Sequence, residues 1–339
     1  MPTNTSLIEL HPDRIVILRA LHIGDLLCAV PAFRALRAAL PDAHITLLGL
    51  PWARTFVERF GFYLDEFVQF PGYPGFPEQP DNVDRFTSFL AEVQSASFDL
   101  AIQMQGSGEI SNSLTVLLGA SSCAGYFLPG HYCPDGDLFL KYPTSEPEVW
   151  RHLRLMEFLG IPLQGDDLEF PFCDRDWKEF YQVVDEFNIR RDYICVHPGA
   201  RSADRRWPPE RFARLADGLT RYGAQIILTG SEHEARLTGV IAGAMKCPAV
   251  DLAGKTSLGG LAALLSQARL LVSNDTGVSH IAAALKTPSV ILFSASNPDR
   301  WAPLDQDLHF TVRSAVKKTP DEVLEVVDRH VKGVYVHAR

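Results

Sequence analysis

The sequence predicts an α/β protein made of two nucleotide-binding-type lobes of similar size. Three observations carry this. Short apolar runs alternate with segments of helical periodicity along almost the whole chain, the pattern of parallel sheets covered on both faces. The alternation breaks near Asp166–Asp174 and restarts at Tyr193. With 339 residues, the chain is also longer than one core readily accommodates, so two domains are expected.

In the first lobe the expected order begins with a strand at Arg14–Leu18, an apolar run, and a helix at Leu26–Ala39, which stops before Pro41. A strand at Ala43–Leu48, a helix at Trp52–Phe60 and a short strand at Asp65–Phe70 follow. The stretch Pro71–Pro80 holds four prolines and two glycines, which excludes helix and central strand. It reads as a loop over the sheet edge, either mobile or a rigid connector. Then come a helix at Val83–Ser95, a strand at Leu100–Gln103, a helix at Ser111–Leu118 and a closing helix at Val149–Leu159.

The second lobe restarts with a strand at Tyr193–Val196 and a helix at Pro209–Thr220. It continues with a strand at Gln225–Thr229, a helix at Ala235–Ala244, a short strand at Val250–Leu252 and a helix at Leu258–Ser266. A strand at Leu270–Ser273, a helix at Val278–Leu285, a strand at Ser289–Phe293 and a helix at Asp321–Val331 complete it. The expected domains are 1–170, 171–318 and a C-terminal helix and tail, 319–339. The architecture repeats but the sequence does not. Ligands of such folds sit beyond the carboxyl ends of the strands, which in a two-lobed protein points to the cleft between the lobes.

Composition narrows the function. The chain is 46% hydrophobic and 22% charged, ordinary globular material. Its net charge of -9 argues against a general nucleic-acid binder. The six cysteines form no CxxC pair, so neither a zinc site nor a disulfide framework is suggested. The N-terminal MPTNTSLIELHPDR lacks the basic-then-apolar order of a secretory signal, and no apolar stretch approaches a membrane span. A cytoplasmic protein is expected.

The candidate chemistry lies in loops after strands. Asp25, in His22-Ile23-Gly24-Asp25, stands where the first strand gives way to a helix; alone, it reads better as a helix cap. The loop His197-Pro198-Gly199-Ala200-Arg201-Ser202-Ala203-Asp204-Arg205-Arg206-Trp207-Pro208 sets small residues before arginines that suit phosphate oxygens. Alone, it reads better as a solvated charge run at a helix start. Asn274-Asp275-Thr276-Gly277 offers backbone N–H groups at a helix N-terminus, equally a cap or an anion site. His280, beside Ile281-Ala282-Ala283, reads first as a core histidine. There is no GxGxxG after the first strand, no phosphate-binding GxxxxGK[ST] loop, no GxSxG elbow and no HExxH. No cofactor and no metal site is expected.

Three motifs, LRALHIGDLLCAVPA, HPGA…RRWPPERF and NDTGVSHIAAALKTP, together resemble glycosyltransferase family 9. Its best-known members are the ADP-heptose:lipopolysaccharide heptosyltransferases. The segments FDLAIQMQGSG and DLAGKTSL fit the same pattern, and the likeness runs from about Arg14 to Pro303. The resemblance implies a GT-B fold, two Rossmann-like lobes whose parallel sheets face a central cleft, with donor on the C-terminal lobe and acceptor on the N-terminal one. It implies inverting, metal-independent transfer of a sugar, heptose from ADP-heptose, to a hydroxyl of a glycan or lipopolysaccharide-type acceptor. Peripheral contact with the inner membrane face is expected and nucleic acid is not.

By the same resemblance Asp25 is the general base. Arg205 meets the diphosphate, with Arg206 beside it, and backbone at Gly199-Ala200 and Thr276-Gly277 completes a phosphate cradle. Asp275 meets the donor sugar, His280 belongs to the donor site, Glu234 holds the ribose and the Thr256 backbone meets adenine. Gly24 and Gln105 are acceptor-side positions.

One departure concerns the acceptor. Between Pro51 and Leu100 the chain has three arginines, no lysine and a clear excess of acids. Aromatics abound there instead: Phe56, Phe60, Phe62, Tyr63, Phe67, Phe70, Tyr73 and Phe76. Core packing is expected for those outside Pro71–Pro80. Tyr73 and Phe76 are expected in an exposed flap that stacks on an acceptor of little charge, unless Arg19 or Arg151 lines the site. The alternatives are another nucleotide-sugar enzyme on the same fold, such as an epimerase or a transferase of a different sugar, and, less favoured, a two-lobed ligand-binding protein.

Overall fold

The computed structural model describes Leu7 and residues 11–337. Most of the N-terminal stretch read as lacking a secretory signal lies outside these residues, as does the end of the tail. The chain divides into two compact units, Met1–Asp167 and Leu168–Arg339.

The first unit runs β1 (Arg14–Leu18), α1 (Ile23–Ala39), β2 (His44–Gly49), α2 (Ala53–Arg59), β3 (Glu66–Gln69), α3 (Val83–Ser95), β4 (Leu100–Gln103), α4 (Ser111–Leu117), β5 (Ser122–Phe127), β6 (Phe139–Lys141) and α5 (Glu148–Phe158). The second runs α6 (Asp174–Glu186), β7 (Tyr193–His197), α7 (Pro209–Leu219), β8 (Gln225–Leu228), α8 (Ala235–Ala244), β9 (Ala249–Asp251), α9 (Leu258–Ser266), β10 (Leu270–Asn274), α10 (Gly277–Ala284), β11 (Ser289–Phe293), α11 (Pro298–Trp301), β12 (His309–Arg313) and α12 (Pro320–His337).

Among the described residues each unit holds one six-stranded sheet, ordered β3-β2-β1-β4-β5-β6 in the first and β12-β11-β10-β7-β8-β9 in the second. The pairing is parallel throughout. Read outward from the first strand of each unit, the two orders are the same. The strand order therefore reverses between β1 and β4, and again between β7 and β10. Those are the switch points at which open α/β sheets bind ligands.

Central strands are buried on both faces, as a parallel sheet under two helical layers requires. Ile15–Leu18 of β1 and Ile194–Val196 of β7 are almost fully enclosed. Register is fixed by this burial: Ile17 faces Leu47 on one side and Ile102 on the other. In the second unit Val196 faces Val272. Helix α12 packs Val323, Leu324 and Val327 into the same core as α7 and β7, so it is part of the second unit.

Sequence periodicity left five elements unassigned: β5, β6, β12, α6 and the single-turn α11. β5 (SCAGYF) carries a glycine at φ +158°, β6 is three residues long, and β12, at a sheet edge, buries only His309 and Val312. α6 is polar enough to read as a transition, since it buries only Asp176, Phe180 and Val183.

The exposed-flap expectation for Pro71–Pro80 is corrected. Phe76 is buried and belongs to the first unit's core. Its ring packs on Phe70 at 5.3 Å and on Tyr73 at 5.8 Å, while Tyr73, half-buried, also meets Phe86 at 5.4 Å. Gln79 Nε2 donates to the Phe70 carbonyl at 2.9 Å. At Gly72, φ +93°, an added Cβ would lie 2.2 Å from the Pro80 carbonyl oxygen. The stretch thus closes on itself and plugs the core with Phe76, the rigid-connector alternative.

Candidate functional site

At the switch point of the first unit, β1 delivers the chain to α1 through Arg19–His22. Helix α1 starts at Ile23, earlier than periodicity indicated, because Gly24 and Asp25 form its first turn. Gly24 is buried; Asp25 is half-buried and its Oδ2 accepts from the backbone N–H of His22 at 3.3 Å. Both the capping and the functional readings need this placement: a carboxylate held at the positive end of a helix, just beyond a central strand. On the neighbouring strand end, Gln105 is buried, and its backbone oxygen accepts from Ser111 Oγ at 2.7 Å and Gln103 Nε2 at 2.5 Å. Its side-chain Oε1 is enclosed with no hydrogen-bond partner among the described residues.

Arg19 and Arg151 do not line a surface. Both are buried and both contact the Glu148 carboxylate at 3.4 Å. Arg151 also donates to the Tyr142 hydroxyl at 2.5 Å and the Thr144 carbonyl at 3.3 Å. Basic groups for an anionic acceptor do not come from this pair. The rim of the first unit's switch point therefore holds Gly24, Asp25 and Gln105, while Phe76 lies in the core with Tyr73 packed against it.

In the second unit the arginine-bearing loop follows β7 and the NDTG segment follows β10, so adjacent strands present them at one sheet end. Asn274, the last residue of β10, ties the two together. Its Nδ2 donates to the Pro198 carbonyl at 2.7 Å, and its Oδ1 accepts from the Trp207 N–H at 3.1 Å. Trp207 is fully buried and its indole N–H reaches the Ala315 carbonyl at 2.8 Å. Both ends of the loop are thereby pinned. Arg206 Nε closes the turn onto the Ala200 carbonyl at 2.7 Å, so this arginine shapes the loop. Arg205 lies with Nη1 3.6 Å from Oδ2 of the buried Asp275. The predicted donor residues Arg205 and Asp275 are thus brought together.

Gly199 and Glu234 also meet. A Cβ on Gly199 would sit 1.9 Å from Glu234 Oε1, so only glycine allows this approach. Glu234 Oε2 accepts from Ser231 N at 2.8 Å and Ser231 Oγ at 2.9 Å, which fixes the carboxylate as part of a capping box. Thr276 precedes α10 in extended backbone; Ser279 N–H returns to the Thr276 carbonyl at 3.0 Å, and the Gly277 and Val278 amides stand at the helix N-terminus, the kind of end that suits an anion. Thr256 follows Gly254, whose N–H joins the β9–α9 loop to the Gly230 carbonyl at 2.9 Å. His280 is buried within α10, edge-on to Trp301 at 6.2 Å.

Sequence reasoning placed His197 and Asn274 in the candidate loops but gave neither a role of its own. His197, the last residue of β7, is buried with Nδ1 3.0 Å from Thr229 Oγ1. Burial lowers its pKa while the Glu234 carboxylate acts in the opposite direction. Their only sequence signal is position: each ends a central strand beside the switch point. Among the described residues no three His, Cys, Asp or Glu side chains group as metal ligands.

Two Rossmann-like units with these strand orders are the building blocks of the GT-B fold, and the solved structures that the chain resembles carry that fold. The model of glycosyltransferase family 9 (heptosyltransferase) matches residues 86–328, and the chain belongs to that family. It is 31% identical to lipopolysaccharide heptosyltransferase 3 of Escherichia coli (strain K12) over 163 residues, 47% of each chain. In that match the chain spans about half the length of its relative. Lipopolysaccharide heptosyltransferase 2 of the same strain matches at 25% identity over 310 residues, 86% of this chain and 85% of that protein. The crystal structure of the glycosyl transferase family 9 protein from Veillonella parvula DSM 2008 has the same fold. Its TM-score is 0.76 at 20% identity, covering 94% of this chain and 97% of that one.

Proposed function

We propose that this protein is an inverting heptosyltransferase that moves heptose from ADP-heptose to a hydroxyl of a lipopolysaccharide core acceptor. The observation that carries the reading is the pair of switch points in one family 9 chain. One holds a carboxylate, Asp25, on a first helical turn; the other holds a pinned arginine loop beside a helix N-terminus. Asp25 takes the proton of the acceptor hydroxyl as its oxygen attacks the anomeric carbon. The bond from that carbon to the diphosphate oxygen breaks through an oxocarbenium-like transition state. Arg205 and the amides at Thr276-Gly277 meet the charge that gathers on the departing ADP. Glu234 binds the ribose, Asp275 the donor sugar and the Thr256 backbone the adenine, with Gly199 and Ala200 lining the phosphate path. Arg206 keeps the loop in shape, and His280 supports the donor site from within α10. Gly24 and Gln105 flank the acceptor.

No helix among the described residues is long and apolar enough to cross a membrane. A nucleotide-sugar donor places the reaction in the cytoplasm, with a lipid-linked acceptor reached by peripheral contact at the inner membrane face.

The test is nucleotide binding. In a panel of ADP, UDP, GDP and CMP, ADP is expected to bind most tightly by calorimetry. Arg205→Ala is expected to weaken ADP by roughly 10- to 100-fold, the usual share of a charged hydrogen bond, about 1.5–3 kcal/mol. AMP, lacking the distal phosphate, is expected to lose less. Equal losses for ADP and AMP would move Arg205 away from that phosphate, and preference for another base would replace the donor.

A second outcome concerns metal. Because Arg205 and the α10 amides supply the leaving-group stabilisation in this reading, transfer is expected to persist in excess EDTA. Loss in chelator, restored by magnesium or manganese, would give that work to a cation.

A further inference from the structure

The geometry points to Arg19 as a positioning residue for the proposed base: it holds the first turn of α1, and with it Asp25, against the ends of β1 and β4. This inference rests on the reading of Asp25 given above. Arg19 is 1% exposed, and its backbone N–H is tied to the Leu48 carbonyl at 3.0 Å, so its own position is set by the end of β2. From there one guanidinium spans three elements. Nε and Nη2 both donate to the backbone oxygen of Asp25, at 3.1 and 2.6 Å. Nη1 donates to the Met104 carbonyl at the end of β4, at 2.5 Å. Nη2 also faces Glu148 Oε1, at 3.4 Å on the first turn of α5.

Stability alone gives little reason for this arrangement. A cation at the N-terminal turn of a helix opposes the helix dipole. A buried ion pair is often no better than apolar side chains of the same volume. What a planar fork does supply is direction. It grips Asp25 by its main chain, which leaves the carboxylate free for the His22 N–H and for an acceptor. A lysine at the same position would keep the charge but, as a single point donor, lose the simultaneous grip on Asp25 and Met104.

The test compares kcat, the ADP dissociation constant and the melting temperature. The assay follows ADP release from ADP-heptose with deacylated lipopolysaccharide core as acceptor. Arg19→Lys is expected to lower kcat by roughly 10- to 100-fold, the size of a misplacement of about 1 Å, with ADP affinity unchanged. Against buried-charge misfolding, Arg19→Met removes the cation while leaving the Glu148 carboxylate paired with Arg151. It is expected to fold and to show the same loss. In an Asp25→Asn background either change is expected to cost less than about threefold, because a group acting only through Asp25 has nothing left to position. A folded variant of either kind with parental kcat, or an undiminished loss in the Asp25→Asn background, would overturn the assignment. Near-parental activity of Asp25→Asn itself would instead overturn the reading of Asp25 as the base.

Discussion

Asp25→Asn is expected to fold normally, bind ADP as the parent does and transfer sugar about two to four orders of magnitude more slowly. Each part follows from a separate feature. Folding survives because the amide oxygen of Asn still accepts from the His22 N–H, the 3.3 Å bond that caps α1. Donor affinity survives because every proposed donor residue lies in the second unit, from Gly199 onward. The rate falls because Asn cannot take the proton that the acceptor hydroxyl sheds as its oxygen attacks. Steady-state kinetics together with a melting curve decides the matter. Turnover close to the parent's would return Asp25 to capping alone. The separation is clean because the two roles use different properties of one group: the cap needs an acceptor oxygen, the mechanism needs basicity.

How much of this was legible depended on whether the cause is local. β1, α3, β4, α8, α9 and β11 have the ends that apolar runs and turn residues indicated, because those signals act within a few residues. β5, β6 and β12 are strands through their neighbours in the sheet rather than through their own composition. α6 becomes a helix on a narrow buried stripe, packing on α9. The site divides in the same way. Asp25, the HPGA loop and the NDTG turn could be found as small or charged residues directly after strands. The shared strand order, which puts them at switch points, is a tertiary fact. So are the Gly199–Glu234 approach, the Asn274 clamp on Pro198 and Trp207, and the reach of Arg19 to Asp25, Met104 and Glu148. Nothing within a few residues of Arg19 tells that its guanidinium turns inward, since the partners stand up to 129 positions away.

Phe76 illustrates the converse, a residue whose local sequence pointed outward, and it carries the second large expectation. Phe76→Ala is expected to destabilise the first unit by about 3–5 kcal/mol, the cost of emptying a phenylalanine site in a packed core. For a unit of this size that is a fall in melting temperature of roughly 6–20 °C. Prolines and glycines exclude regular structure, but they do not exclude burial. Here Gly72 lets the stretch fold back against Pro80, and Gln79 holds it to Phe70. The ring of Phe76 then enters the cluster that includes Phe70, Phe89 and Val93. Tyr73, packed on the outer side of Phe76 and only half-buried, is expected to cost less on truncation to Ala. ADP affinity at a temperature where the variant is folded is expected to stay at the parental value. An unchanged melting temperature for Phe76→Ala, accompanied by a raised acceptor KM, would restore the flap. The stability loss would instead leave the acceptor to be met by the groups at the ends of β1 and β4, Gly24, Asp25 and Gln105, whose places are set by the sheet.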